Sequence, residues 1–102
     1  MRRVRRSLTA INGLQMLLHQ GLPKFGSTVV HAKLQRVDRT LAHLAEYPRT
    51  GIYKRRQKLY HYPVADTPFV VVDEFDDTDL RVLFIVHKGA DRRLLKRAIV
   101  AW

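Results

Sequence analysis

An apolar stripe between residues 30 and 44 is the feature that most constrains the fold of this chain. Its members recur at intervals of four, three, four and three residues, at Val30, Leu34, Val37, Leu41 and Leu44. Residues three and four apart share one side of an α-helix. The other side carries basic residues, at Lys33, Arg36, Arg39 and His43. The pattern predicts a long amphipathic helix within residues 24–47, which ends at Pro48 and Gly51.

A second helix is predicted upstream of this stripe. Ser7 or Thr9 can cap its N-terminus. Its apolar residues recur at helical spacing, at Ile11, Leu14 and Leu18. Gly21 and Pro23 are expected to end it, so that the two helices form an antiparallel hairpin. Residues 2–8 could form a short strand before the hairpin.

The second half of the chain has the composition of β-strands. Three segments rich in β-branched and aromatic residues follow one another, at 59–64, 67–75 and 80–86. Residues 76–79, Asp-Asp-Thr-Asp, have the side chains of a turn, which predicts a β-hairpin between the last two segments. Residues 91–101 predict either a loose tail or a short helix, the latter with its apolar side chains inward, at Leu94, Leu95 and Ile99.

Together these elements predict an α+β fold of order β-α-α-β-β-β, with or without a final helix. An N-terminal strand and the helical hairpin are expected to pack on a small, mostly antiparallel sheet. The length of 102 residues fits one domain, 1–102. Cysteine is absent, which excludes a disulfide framework, a thiol nucleophile and a thiolate zinc site. No apolar stretch has the length of a membrane span, and polar residues interrupt the region where a signal peptide would need its apolar core.

The charge of the chain is strongly positive and unevenly placed. Nineteen lysines and arginines face nine acidic residues, for a formal net charge of +10. Five of the acids lie between Asp73 and Asp79, whereas the bases cluster at residues 2–6, 54–58 and 88–97. Such a charge accelerates encounters with polyanions and acidic proteins. We therefore expect an acidic partner, with a basic surface that serves only solubility as the alternative.

The sequence offers no motif for a cofactor or metal. None of its five glycines belongs to a phosphate-binding loop, and no two histidines stand at the spacing of metal ligands on a helix. The acidic group at 73–79 lacks the central glycine and distant glutamate of a calcium loop, so that a hairpin turn is the better interpretation. We expect neither a cofactor nor a metal.

The segment after the last predicted strand could carry chemistry. It contains His87, Lys88, Arg92 and Arg93. In one interpretation His87 gives a proton to the leaving oxygen of a phosphodiester, and the three cations stabilise the charged phosphate. In the other the segment is a basic tail that only binds, which we favour because no partner base is evident.

A second basic cluster interleaves cations with tyrosines between residues 53 and 62. Cations neutralise phosphates and aromatic rings stack on bases, so that this composition suits a nucleic acid or another acidic target. The candidate binding residues are Lys54, Arg55, Arg56, Lys58 and Tyr60, together with Arg81 on the last strand. The alternative is a basic loop whose tyrosines pack on the sheet.

The order of these segments resembles the RelE/ParE family of type II toxin–antitoxin toxins. The resemblance rests on three runs: Leu41-x-x-Leu44-Ala45-Glu46-Tyr47-Pro48-Arg49-x-Gly51, then Leu59-x-x-Tyr62-Pro63-Val64-x-x-Thr67-Pro68-Phe69-Val70-Val71-Val72, then Leu80-Arg81-Val82-Leu83-Phe84-Ile85-Val86-His87-x-Gly89-Ala90-x-Arg92. With the helical hairpin that precedes them, the resemblance covers nearly the whole chain, and the fold of the family has the element order predicted above. The resemblance implies a bacterial cytoplasmic toxin, outside any membrane, that a cognate antitoxin with an acidic tail keeps silent.

The family also implies a choice between two targets. ParE-like members bind DNA gyrase, whereas RelE-like members cleave messenger RNA in the ribosome. RelE-like sequences usually carry an arginine where this chain has Phe69, and the run His87-x-Gly89-Ala90 is closer to the ParE pattern. Gyrase is therefore the favoured target; a ribonuclease and a simple nucleic-acid-binding module are the alternatives. The residues expected to bind the antitoxin are Arg36, Arg39, Arg92, Lys96 and Arg97.

Overall fold

In the computed structural model, which describes all 102 residues, a short strand precedes one long helical segment. The other four strands of a mixed sheet follow that segment. The helical segment α1 spans Leu8–Glu46. The strands are β1 (Arg3–Arg6), β2 (Ile52–Lys54), β3 (Leu59–Pro63), β4 (Phe69–Phe75) and β5 (Asp79–His87). Short 3₁₀ turns occupy Pro48–Thr50, Arg92–Leu94 and Arg97–Ile99.

The segment α1 is a helical hairpin that reverses at Gly26. A straight helix of 39 residues would be about 58 Å long, but the longest dimension of the molecule is 38 Å. Gly26 interrupts the helical backbone with φ 78° and ψ 170°, a conformation that glycine adopts at little cost. A Cβ atom on Gly21 would lie 3.5 Å from the side chain of Val30, which places the two arms, residues 8–25 and 27–46, side by side.

The predicted hairpin is thus confirmed, but its predicted break is wrong. Gly21 and Pro23 both lie inside the helical segment, which continues to the reversal at Gly26. Pro23 removes one backbone hydrogen-bond donor, and the helical segment continues past it, whereas the positive φ of Gly26 ends the first arm. Ser7, rather than Thr9, caps the N-terminus: its Oγ accepts a hydrogen bond from the Ala10 amide at 2.9 Å and donates one to the Leu83 carbonyl at 2.7 Å.

The five strands form one sheet in the order β1-β5-β4-β3-β2. The outer strand β1 runs parallel to β5, and the other pairs are antiparallel. The predicted α+β class with a mostly antiparallel sheet is confirmed. Strand β2 was not predicted. It has only three residues and buries none of them, so it carries no apolar pattern that a sequence could show. Between Val72 and Asp73 the β4–β5 register shifts, so that Leu83 on β5 has no partner across the ladder.

The sheet buries apolar side chains on both faces. On one face the hairpin arms contribute Leu14, Val37, Leu41 and Leu44, which pack with Val71, Val82 and Ile85. On the opposite face, called the outer face below, the buried residues are Leu59, Val70, Val72, Leu83 and Phe84. The C-terminal tail, residues 91–102, crosses this outer face and packs Leu95 and Val100 against it.

The tail is neither of the two predicted forms. It has two 3₁₀ turns instead of an α-helix, and Leu94 and Ile99 are exposed rather than inward. Its end is fixed to the start of α1, where the Thr9 amide donates to the Ala101 carbonyl at 3.2 Å and the Ala101 amide donates to Thr9 Oγ1 at 2.9 Å. No helix of the protein combines the length and apolar character that crossing a membrane requires.

Candidate functional site

A basic cavity of about 640 Å³ opens on the outer face of the sheet. One wall is formed by Lys54 at the end of β2 and by the loop that follows it, with Arg55, Arg56 and Gln57. The other wall is the segment after β5, residues 90–93, and His61 on β3 also lines the cavity. The fold therefore brings together two basic clusters that lie more than 30 residues apart in sequence.

The loop wall is shaped by its backbone. The Lys58 amide donates to the Lys54 carbonyl at 2.8 Å, and Lys58 has a positive φ of 59°, which turns the chain back into β3. Strand alternation then places Leu59 and His61 on the outer face, while Tyr60 and Tyr62 lie on the helix side. The basic loop thus ends beside a buried histidine.

Gln57 connects the two walls. Its Nε2 donates to the backbone carbonyls of Arg92 and Leu95, the latter at 3.1 Å. Its Oε1 lies 2.7 Å from His61 Nε2. Because the Gln57 amide nitrogen faces carbonyls, its oxygen is the acceptor, and His61 Nε2 must carry the proton. One side chain therefore fixes the distance between the basic loop and the tail.

His61 is uncharged at neutral pH. Burial, and then the positive charges of Arg92 and Lys54, lower the pKa of its imidazole to about 4. Only 2% of the residue is exposed, and its Nδ1 atom has no hydrogen-bond partner. A buried, neutral imidazole of this kind is part of the cavity's framework and does not supply a proton to a ligand.

Most of the cations at the cavity are free of ion pairs. Arg93 is held by Asp91 through two hydrogen bonds of 3.0 and 2.9 Å, which raises the pKa of its guanidinium and lowers that of the Asp91 carboxyl. Lys54, Arg55, Arg56 and Arg92 have no ion-pair partner. The lining therefore carries five cations and one carboxylate.

His87 and Lys88 lie away from this cavity. His87 is on the helix side of the sheet, where it lines a smaller cavity of about 230 Å³ with Phe25 and Phe69. Its Nδ1 accepts a hydrogen bond from the Gly89 amide at 2.9 Å, and Lys88 is exposed. The four residues considered for phosphodiester cleavage therefore do not share one site: His87 lines the smaller cavity, Arg92 and Arg93 line the basic one, and Lys88 lines neither. Alternation along β5 turns His87 away from the face where Arg92 and Arg93 lie.

Three other predicted binding residues are engaged inside the chain. Arg81 pairs with Glu74 at 3.0 Å and Asp76 at 2.8 Å, and Arg97 also pairs with Glu74. The ring of Tyr60 lies between Tyr53 and Phe75, at centroid distances of 4.9 and 5.1 Å. These contacts leave Lys54, Arg55, Arg56 and the exposed Lys58 as the members of the predicted target-binding set that face solvent.

The acidic segment is a hairpin turn. The Oδ1 atom of Asp76 accepts hydrogen bonds from the amides of Thr78 and Asp79 at 2.9 and 2.8 Å. The hydrogen bond from the Arg81 guanidinium, and then these backbone bonds, lower the pKa of the Asp76 carboxyl. No three histidine, cysteine or acidic side chains are grouped so that they could hold a metal ion.

The residues expected to bind an antitoxin occupy two opposite surfaces. Arg36 and Arg39 are exposed on the second hairpin arm, where Arg36 pairs with Asp66 at 3.2 Å. Arg92, Lys96 and Arg97 belong to the tail on the outer face. A single partner that contacts both groups would have to extend around an edge of the sheet.

Sequence reasoning missed Gln57 and His61 as organisers of the site. Both belong to the basic cluster at 53–62, but neither was selected from it. The signal that could have found His61 is its alternation with Leu59, which places it on the buried outer face. Nothing in the sequence indicates that Gln57 binds carbonyls 35 and 38 residues away.

Comparison with known proteins gives a structural match without a sequence match. A chain of the "Chromosomal ParDE TA system from P. aeruginosa" superposes with a TM-score of 0.76, over 85% of this chain and 96% of that one, at 12% sequence identity. No family model and no curated protein matches the sequence. The likeness shows the fold alone: this chain has an α+β fold of the RelE/ParE kind, as the sequence resemblance implied.

Proposed function

We propose that this chain is the toxin of a type II toxin–antitoxin pair and that a cognate acidic antitoxin neutralises it. The observation that carries the proposal is the fold shared with a ParDE chain over 85% of this chain and 96% of that one. The net charge of +10 supports an acidic partner. A disordered acidic segment that orders on binding could reach both the hairpin arm and the tail.

We further propose that its target is DNA gyrase, which it inhibits by binding. The division of His87 from Arg92 and Arg93 favours binding over phosphodiester cleavage, because no accessible histidine accompanies the cations of the basic cavity. The free cations at Lys54, Arg55 and Arg56 suit contact with a nucleic-acid-bearing complex. A ribosome-dependent ribonuclease is the competing function.

The test compares two assays on the purified protein. We expect it to inhibit gyrase supercoiling of plasmid DNA in the absence of ribosomes, and to leave cell-free translation of a messenger RNA intact. The reverse result, blocked translation with unaffected gyrase, would replace the gyrase proposal with the ribonuclease.

The toxin–antitoxin assignment itself is tested in cells. Expression of this chain alone is expected to arrest growth, and co-expression with a short acidic protein from the neighbouring reading frame is expected to restore it. Growth without arrest in either case would leave a basic nucleic-acid-binding module as the better description, with an affinity that falls steeply as salt rises.

A further inference from the structure

We propose that the basic cavity on the outer face is a binding site for an oligophosphate, a ligand with two or more adjacent phosphate groups. The inference concerns the cavity alone and does not depend on the toxin activity proposed above. It rests on three features of the cavity: its positive charge, the residues that line it, and the hydrogen bonds that hold its two walls together.

The charge of the lining matches more than one phosphate. Lys54, Arg55, Arg56 and Arg92 have no ion-pair partner, and Asp91 offsets Arg93, which leaves four positive charges around one cavity. A terminal phosphate group carries about 1.5 to 2 negative charges at neutral pH. Two groups or more are needed to neutralise the lining, and the volume of about 640 Å³ exceeds what a single phosphate fills.

The lining also restricts what else the ligand can contain. Its one apolar residue is Ala90, and no aromatic ring other than the His61 imidazole borders it. Sites that recognise a nucleobase offer stacking surfaces and apolar contacts. This cavity offers stacking only on its guanidinium planes and apolar contact only on Ala90 and the aliphatic stems of its lysine and arginine side chains, so that binding is expected to depend mainly on the phosphates and little on any base attached to them.

The two walls are held in place before a ligand arrives. Gln57 donates hydrogen bonds to the carbonyls of Arg92 and Leu95 and accepts one from His61 Nε2, so that cations from both segments converge without a conformational change. A site with its donors already positioned loses less ordering entropy on binding. Arginine side chains also present forked donors that match phosphate oxygens.

The experiment is a titration of the full chain with inorganic tripolyphosphate, followed by calorimetry and by the ring signals of His61 in NMR spectra. We expect saturable one-to-one binding and an upward shift of the His61 pKa, because a bound anion offsets the charges of Arg92 and Lys54 that lower it. Adenosine, which lacks phosphate, is expected not to bind. Absence of saturable tripolyphosphate binding, or binding that leaves the His61 signals unchanged, would overturn the proposal.

Two double variants, each of which removes two positive charges, distinguish binding at this cavity from general electrostatic attraction to a basic protein. Arg55→Gln with Arg92→Gln is expected to weaken binding at least tenfold. Lys24→Gln with Arg39→Gln removes the same charge from the helical hairpin and is expected to change the affinity less than twofold. Equal losses in the two would overturn the proposal. Thermal unfolding of each variant verifies that it is folded.

A third arm identifies the source of the phosphates. A single-stranded oligonucleotide of twelve thymidines is titrated with the same readouts, alone and in competition with tripolyphosphate. Stronger binding of tripolyphosphate assigns the site to free oligophosphates, and perturbation of His61 by the oligonucleotide alone assigns it to a nucleic-acid backbone. The first result supports the proposal, and the second overturns it, because the phosphates of a nucleic-acid backbone are separated by sugars and are not adjacent.

Discussion

The Nε2 atom of His61 lies 2.7 Å from the Oε1 atom of Gln57, and the amide nitrogen of Gln57 donates to the carbonyls of Arg92 and Leu95. A strand residue, a loop residue and the tail are thereby joined through one side chain. The contact explains how a loop and a tail, both rich in cations, remain close despite their mutual repulsion.

Removal of the Gln57 side chain is expected to destabilise the protein. Gln57→Ala would leave two carbonyls and the buried His61 Nε2 without their present partner, which we expect to lower the free energy of unfolding by about 1 to 3 kcal/mol. Urea denaturation measures the change. Gln15→Ala, at an exposed helical position, is the control and should stay within about 0.5 kcal/mol of the wild type. Equal, small effects would show that Gln57 does not brace the cavity.

Asp73 makes stability depend on pH. It is fully buried, and neither carboxylate oxygen has a hydrogen-bond partner. Burial, and then the neighbouring Glu74, raise the pKa of its carboxyl from 3.8 to about 7. The folded state therefore holds the carboxyl proton of Asp73 more tightly than the unfolded state does. The stabilisation that results from this difference is complete below pH 4 and is lost as the pH rises to 7.

The replacement Asp73→Asn isolates this effect, because asparagine does not titrate. The variant is expected to gain stability relative to the wild type as the pH rises from 4 to 7, by up to about 4 kcal/mol. Denaturation across that pH range gives the difference between the two proteins. Asp77→Asn, at an exposed turn position, should produce no such trend. A constant difference for Asp73→Asn would contradict the raised pKa.

Two helical glycines are expected to respond to alanine in opposite directions. A Cβ atom at Gly13 would lie 2.8 Å from the Ile85 carbonyl oxygen, so that Gly13→Ala must push the first arm of α1 away from β5. We expect a loss of about 1 to 3 kcal/mol. At Gly21 the nearest atom would be 3.5 Å away, and Gly21→Ala should gain about 0.5 to 1 kcal/mol from reduced backbone entropy.

Thermal denaturation of the two glycine variants, measured side by side, gives the comparison. Because both exchange glycine for alanine in the same helical segment, helix propensity affects them alike and the difference reports packing. Stabilisation by Gly13→Ala would mean that the first arm does not approach β5 as closely as described.

From the position of His87 we expect that its replacement by alanine leaves the activity of the protein unchanged. Since His87 lies on the helix side and apart from the basic cavity, His87→Ala is expected to retain growth arrest and gyrase inhibition within about twofold of the wild type. His19→Ala, at another exposed histidine, serves as the matched control. A selective loss of activity in His87→Ala, with translation as the affected process, would favour the ribonuclease instead.

The sequence by itself determined the local features of this protein. The stripe from Val30 to Leu44 specified the second hairpin arm, and the β-branched runs specified β4 and β5, because the side-chain periods of helices and strands are direct consequences of backbone geometry. Its resemblance to the RelE/ParE family also indicated the fold. The excess of positive charge over residues 54–58 and 88–97 was equally evident.

Only the tertiary structure decided which of those charges share a site. Strand alternation sent His87 to one face of the sheet, and the path of the tail carried Arg92 and Arg93 to the other, beside the loop at 54–58. The bonds from Gln57 to the tail join residues 35 and 38 positions apart. Such contacts follow from how distant segments pack, and no period or local composition encodes them.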